Sequence, residues 1–297
     1  MYDVARLFRD EVRGLMDRLS TEPAEWWTEV SDLFLPEITR AAQIQVRLGL
    51  GGVALVVRSE LHSARTRLYG LLGERGLDFK VASGCERLSD LFPDAGWLLK
   101  IGLCGLEPHS RLFCDERISL EELRRVLDIL DLPAEGVEVG RALLDATGAP
   151  ALRYFSVAPG DPVTLEICAS RPPEPGGMPS TLDSLRSTAG LVEDDRFEAM
   201  REHHGALCRY GRQRYSLQLD GSGAMRGIKV EYADTPLDAM LPAVSNLAAS
   251  PALSARRLQV AARYMAMKVA DHLTVRVEGD GALELSVYYN RLYAVAA

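Results

Sequence analysis

The sequence predicts an α+β fold: a closed ten-stranded antiparallel β-barrel of five α-β-β-α units, with the helices outside. Three observations lead there. A two-strand pattern with turn chemistry at its centre recurs five times along the chain. Helical patterns fill the gaps between these hairpins. A ten-strand sheet left open would also expose two edges and strain its own twist.

Two helices are expected first, around 4–19 and 23–34, packed on the barrel. "IQVRLGLGGVALVV" (44–57) alternates Ile44, Val46 and Leu48 with polar residues, then turns at Gly51-Gly52. "SARTRLYGLLGER" (63–75) opens on an N-cap serine and carries apolar residues at helical spacing. "WLLKIGLCGLEPHSRLFCDE" (97–116) is the second hairpin, with a longer turn holding Gly105 and Pro108. "SLEELRRVLDIL" (119–130) begins with the capping box of Ser119 and Glu122, and "EVGRALLDATG" (138–148) stops at a glycine.

The third hairpin, "LRYFSVAPGDPVTLEICAS" (152–170), turns at Pro159-Gly160-Asp161. "ASRPPEPGGMPSTLDS" (169–184) reads as a surface loop. "EDDRFEAMREHHGALCRY" (193–210) is a helix, and "RYSLQLDGSGAMRGIKVEYAD" (214–234) is the fourth hairpin. Helices over 235–248 and 254–273 lead to the last hairpin, "HLTVRVEGDGALELSVYYN". The turns centre near 51, 106, 160, 222 and 280, so one unit is used five times in pattern rather than in letters. The whole chain, 1–297, reads as one domain, with 1–35 as helices on the barrel.

Two arrangements fit ten such strands: an open sheet covered on one face, or a closed barrel. In a barrel the oily strand face meets the helices and the polar face meets a lumen too wide for side chains alone to fill. The inward set is then Gln45, Arg47 and Arg58; Lys100 with some of Arg111, Asp115 and Arg117; and Thr164 and Glu166. The later hairpins add Arg214, Ser216, Gln218, Lys229, Glu231, Thr274, Arg276, Glu278, Glu284, Ser286 and Tyr288. Long cations converging in a cavity suit a polyanion, and diphosphate is the obvious candidate. The bland alternative is the solvated face of an ordinary sheet. Tyr154, Tyr215, Tyr232, Tyr288, Tyr289 and Tyr293 lie on or beside strands, where aromatic faces either shield a carbocation or simply pack.

Composition excludes several classes. A hydrophobic fraction of 47% is that of a globular protein with a sizeable core. A net charge of −8 argues against a general nucleic-acid binder, though not against a local basic pocket. Five cysteines, none at C-x-x-C spacing, indicate neither a disulfide framework nor a zinc site. Adjacent His203 and His204 point about 100° apart on a helix and are poor joint ligands, so no metal is assigned to side chains. The glycine turns "GSG" and "GDG" do not lead into helices and are not phosphate loops. The amino-terminal stretch lacks the apolar region of a signal peptide, and no apolar run approaches a membrane span. A cytoplasmic monomer is expected.

The chain resembles the cyanobactin-type peptide prenyltransferases of the prenyltransferase-barrel (ABBA) fold. The resemblance is carried by "GLDFKVASGCERLSDLFPDAGWLLKIGLCG", "SRLFCDERISLEELRRVLDIL", "YSLQLDGSGAMRGIKVEYAD" and "LELSVYYNRLY", and spans residues 36 to 293. It implies transfer of a dimethylallyl or geranyl group from its diphosphate to a nucleophilic side chain of a peptide, in a ribosomal natural-product pathway. It implies Mg²⁺ carried by the diphosphate. Arg58, Lys100, Arg117, Lys229 and Arg276 would bind diphosphate, with Asp115 where the family has a histidine. Tyr232, Tyr288 and Tyr289 would shield the allyl cation. Arg47 stands where the family keeps its catalytic glutamate, on the acceptor side, and an arginine is no general base. Glu231 or Glu166 would then take the proton. A small-molecule aromatic prenyltransferase and a non-catalytic isoprenoid- or peptide-binding barrel are the other readings.

Overall fold

In the computed structural model of the chain, the residues described are 42–47, 52–58, 79–102, 110–158, 163–171, 179–210, 212–233, 272–278 and 283–291, with isolated positions elsewhere. The helices expected at 23–34 and 63–75, and nearly all of those at 4–19, 235–248 and 254–273, lie outside them; His272 and Leu273, at the end of the last, are strand.

All five expected hairpins form. Their strands are β1 (Ala42–Arg47), β2 (Gly52–Arg58), β3 (Gly96–Gly102), β4 (Ser110–Asp115) and β5 (Tyr154–Ala158). The rest are β6 (Thr164–Arg171), β7 (Gln213–Leu219), β8 (Met225–Ala233), β9 (His272–Glu278) and β10 (Glu284–Arg291). Each pairs antiparallel with its neighbour in sequence. β1 also pairs with β10, placing Gln45 in register with Ala54 on one side and Tyr288 on the other. The sheet is therefore strongly curled.

Strand alternation divides the side chains cleanly. Leu112, Cys114, Phe155, Val157, Leu165 and Ile167 are buried on the outer face. Leu217, Ile228, Val230, Leu273, Val275 and Val287 continue that face around the sheet. Each fully buried aliphatic contributes about 1.5–3 kcal/mol, so this layer is the main source of stability. The helices that cover it are α1 (Phe79–Leu91), α2 (Leu120–Ile129), α3 (Gly136–Thr147), α4 (Pro179–Ala189) and α5 (Asp195–Leu207). α3 packs on β6 and β7, α4 on β8, and α5 on β9.

The helix ends are set by local chemistry. Ser119 accepts from the Glu122 backbone N–H while the Glu122 carboxylate accepts from Ser119, the expected capping box of α2. Asp194 accepts from the N–H groups of Arg196 and Phe197 to start α5. Gly148 ends α3 at φ 64°, a left-handed conformation that glycine adopts without steric cost. α4 differs from the expected loop. Its prolines hide it, yet Pro179 sits in the first turn, where a missing N–H is harmless, and Leu182 and Leu185 form a buried face. α1 is a second helix without a sequence signature. Glycine and serines in its interior dilute the helical pattern.

Gly140 lets α3 approach α2. A Cβ there would lie 2.6 Å from Leu123 Cδ2 and 3.1 Å from Leu120 Cδ2. Leu123 is fully buried and has nowhere to yield. Gly140→Val is expected to lower the unfolding free energy by about 1–3 kcal/mol in urea denaturation.

Among the described residues no helix is long and apolar enough to cross a membrane. Cys114, Cys168 and Cys208 are free and buried.

Candidate functional site

The inner face of the sheet carries charge and aromatic rings in two layers. Toward the hairpin turns lie Lys100, Arg111, Glu166, Gln218, Arg276 and Glu284, adjacent in strand register. Lys100 pairs with Arg111, Glu166 with Gln218, and Arg276 with Glu284. Toward the opposite end lie Leu98, Phe113, Tyr154, Arg214, Glu231, His272 and Tyr288. They line a cavity of about 220 Å³, with Asp115 and Arg153 also on its wall. Lys229 joins the two layers.

Lys229 is buried and spends its ammonium hydrogens on three partners. It donates to Glu166 Oε1, to Glu231 Oε1 at 2.8 Å and to the Tyr154 hydroxyl at 3.0 Å. Its ammonium also stands 5.6 Å from the centre of the Tyr154 ring. Tyr154 donates in turn to Glu231 Oε1 at 2.5 Å. Arg214 Nη1 reaches Glu231 Oε2 at 3.2 Å. On the other side, Glu166 Oε2 accepts from Arg111 at 3.2 Å and from Arg276 at 2.8 Å. Arg111 continues to Ser156, and Arg276 to Gln218. The charged network thus spans strands β4 to β9.

Burial and neighbouring charge set the electrostatics. Burial alone would raise the Glu166 carboxyl, but Lys229, then Arg111 and Arg276, hold it down at about 2. Glu231 is likewise driven below the carboxylate range, against burial, chiefly by Lys229. Burial would lower Lys229, and the two glutamates raise it above an ordinary lysine. Lys100 goes the other way. Burial, then Arg276, lower it to about 7, with only Glu284 opposing among its main influences. Among the described residues Lys100, Arg111, Arg214, Lys229 and Arg276 outnumber Glu166, Glu231 and Glu284 on the strands' inner face, so this wall is cationic inside an acidic protein.

The rings form the other half of the site. Phe113 meets Tyr154 edge-on at 5.9 Å, and His272 stacks on Tyr288 at 4.0 Å. With Leu98 they give the cavity an apolar and aromatic side, beside the charged groups of Asp115, Arg153, Arg214, Lys229 and Glu231.

The expected site residues are sorted by this geometry. Lys229, Glu231, Arg276, Lys100, Glu166 and Tyr288 come together on the inner face. Tyr232 does not. β8 alternates, so Lys229 and Glu231 point inward and Tyr232 points out under α5, where its hydroxyl meets His204 Nδ1 at 3.0 Å. Tyr215 holds the other ring nitrogen of His204 at 3.2 Å, so His204 is tied into the packed layer under α5. Tyr232 is corrected from the shield to the core. Arg117 is corrected too. β4 ends at Asp115, and Arg117 lies exposed in the segment before α2. Asp115 pairs with Arg153 at the cavity rim at 3.0 Å. Backbone register puts Arg47 opposite Ser286 and Gly52, Arg58 opposite Leu98, and Tyr289 opposite Ile44. Their side chains lie outside the described set.

Phe113, His272 and Leu98 were not singled out from the sequence. They share a face with Arg111, Thr274 and Lys100, two residues away in each case, so alternation alone places them inward. Selecting the inner face by polarity passes over the apolar and aromatic residues on it.

Among the described residues no cluster of three His, Cys, Asp or Glu side chains could hold a metal ion. Glu166 and Glu231 are each already held by two or more cationic partners. The described donor set does not fit a protein-held Mg²⁺.

No family model matches the chain, and no curated protein matches it. Solved structures do. The 5-dimethylallyltryptophan synthase from Streptomyces coelicolor superposes with a TM-score of 0.67 at 12% identity, over 96% of this chain and 97% of that one. Prenyltransferase PriB, in a ternary complex with L-tryptophan and dimethylallyl thiolodiphosphate, gives 0.64 at 14% identity, over 94% and 95%. AnaPT from Neosartorya fischeri gives 0.52 at 12% identity, over 84% and 77%. The chain is built on the barrel fold of these prenyltransferases.

Proposed function

We propose that this protein transfers a dimethylallyl group from its diphosphate to an aromatic acceptor of about indole size, inside a closed ten-stranded barrel. The observation that carries the reading is the arrangement of the inner face: Lys100, Arg111 and Arg276 toward the turns, Phe113, Tyr154 and Tyr288 on the cavity toward the opposite end, and Lys229 between them. The complexes of the structural neighbours with tryptophan and a dimethylallyl thiolodiphosphate support it.

The chemistry divides between the layers. The allylic C–O bond breaks, leaving diphosphate facing Lys100, Arg111, Lys229 and Arg276. Their fixed positive charge opposes the charge growing on the leaving group. The allyl cation faces Tyr154, Phe113 and Tyr288, whose rings favour positive charge and exclude water. The arene attacks, a C–C bond forms, and the ring proton leaves. Glu231 lines the cavity and takes that proton. Its pKa is low, but a protonated arene is a far stronger acid. Glu166 lies behind Lys229, off the cavity wall, and is less well placed for this step. Any Mg²⁺ would arrive with the diphosphate, and no step depends on it.

A peptide acceptor in a ribosomal natural-product pathway is the second reading. It is favoured by the rim, where Asp115 and Arg153 are 43% and 33% exposed and the cavity opens to solvent. Incubation with dimethylallyl or geranyl diphosphate, with L-tryptophan or with tryptophan- and tyrosine-containing peptides, tests both. A dimethylallyl mass gain on the free amino acid is expected. Modification of the peptides alone would transfer the assignment to the second reading. Absence of any transfer would contradict both.

Lys100 makes donor binding depend on pH. Protonated, it adds a cation beside Arg111 and Arg276; it loses that proton as pH rises through about 7. Donor affinity is therefore expected to fall between pH 6 and 8, by about tenfold or less. Lys100→Met should bind weakly throughout and flatten this fall in calorimetric titrations. An unchanged pH profile in the variant would exclude Lys100.

A further inference from the structure

We infer that Glu166 is a built-in counter-anion, occupying the place of the donor's diphosphate and setting how tightly the lumen binds it. This inference rests on the proposed function and assigns one residue within it.

Three facts support the assignment. The Glu166 side chain is 1% exposed, and its two oxygens divide three cations from three different strands: Lys229 on β8, Arg111 on β4 and Arg276 on β9. These are the inward groups a diphosphate would seek, and Glu166 already fills part of their donor capacity. Other contacts of the two arginines are neutral. Arg111 also donates to Ser156 at 3.1 Å, and Arg276 to Gln218 at 3.1 Å. Such contacts orient a guanidinium without neutralising it. The neighbouring carboxylate, Glu231, holds Lys229 and Arg214 and faces the aromatic cavity instead.

A carboxylate in this position does two things. It keeps three like charges together before the donor arrives, which buried cations could not sustain unaided. It then opposes the donor, because diphosphate must share or displace its contacts and faces its negative charge at short range. Donor binding is an exchange of one anion for another. Diphosphate product is released more readily for the same reason, since Glu166 competes for the cations it vacates.

The test is the affinity of inorganic pyrophosphate, measured by calorimetry on the full chain. Glu166→Gln keeps the shape and one acceptor oxygen but removes the charge. It is expected to bind pyrophosphate about tenfold or more tightly than the native protein, since a like charge held beside the site opposes the anion. Glu166→Asp keeps the charge but withdraws it by a methylene. It is expected to bind a few-fold more tightly, and decides the matter if Glu166→Gln does not fold. Glu231→Gln should gain less than Glu166→Gln. Native binding with equal or weaker affinity in the folded variants would overturn the counter-anion role and leave the proposed function standing. No pyrophosphate binding by any of the proteins would overturn both.

Discussion

Lys229→Ala is expected to lower the unfolding free energy by about 3 kcal/mol and to abolish donor binding. Removing one partner of a buried ion pair costs about 3–5 kcal/mol, because the other is left charged in a poor solvent. Here two carboxylates lose their shared cation, with side chains only 1% and 7% exposed. The lower end of the range applies, since Glu166 keeps Arg111 and Arg276, and Glu231 keeps Arg214. Tyr154 also loses the cation near its ring. Urea denaturation at neutral pH measures the loss. Lys229→Met with Glu231→Gln should recover part of it, because the second change removes one of the stranded charges. A loss under about 0.5 kcal/mol, in the range of ordinary surface substitutions, would mean that the network does not bear on stability.

Arg276→Met is expected to weaken donor binding by about two orders of magnitude, the usual scale for truncating a buried, hydrogen-bonded charge. The arginine is partly buried and donates to Glu166 at 2.8 Å and to Gln218 at 3.1 Å. Its loss removes a cation from the diphosphate's surroundings and leaves Glu166 less compensated, and both effects oppose an anion. Arg117→Met is the control. Exposed and beyond the end of β4, it should leave the affinity unchanged. A titration with dimethylallyl thiolodiphosphate measures both variants. Equal losses in the two would contradict the placement of the cationic layer.

The sequence made the hairpins legible because alternation and turn chemistry act locally. Each strand pattern is a few residues long and carries its own signal. The capping box at Ser119 and the glycine stop at Gly148 were readable for the same reason. α4 was not, because its buried face rests on Leu182 and Leu185 beside a proline-rich stretch, and packing on β8 supplies the rest. At the site, parity decided each outcome. Lys229 and Glu231 fall inward and Tyr232 outward, although the family resemblance assigns both Lys229 and Tyr232 to the lumen. The partners themselves could not be read. That Glu166 would bridge Lys229, Arg111 and Arg276 depends on how the strands stack around the lumen, which is a property of the curled sheet and not of any single strand.

The most direct test of a diphosphate-binding lumen is calorimetric titration of the native protein with dimethylallyl thiolodiphosphate, whose sulfur resists ionisation. The expected result is one site per chain with a Kd of about micromolar order, lost in Lys229→Ala and in Arg276→Met. Absence of binding by the native protein, or binding undiminished in both variants, would contradict it.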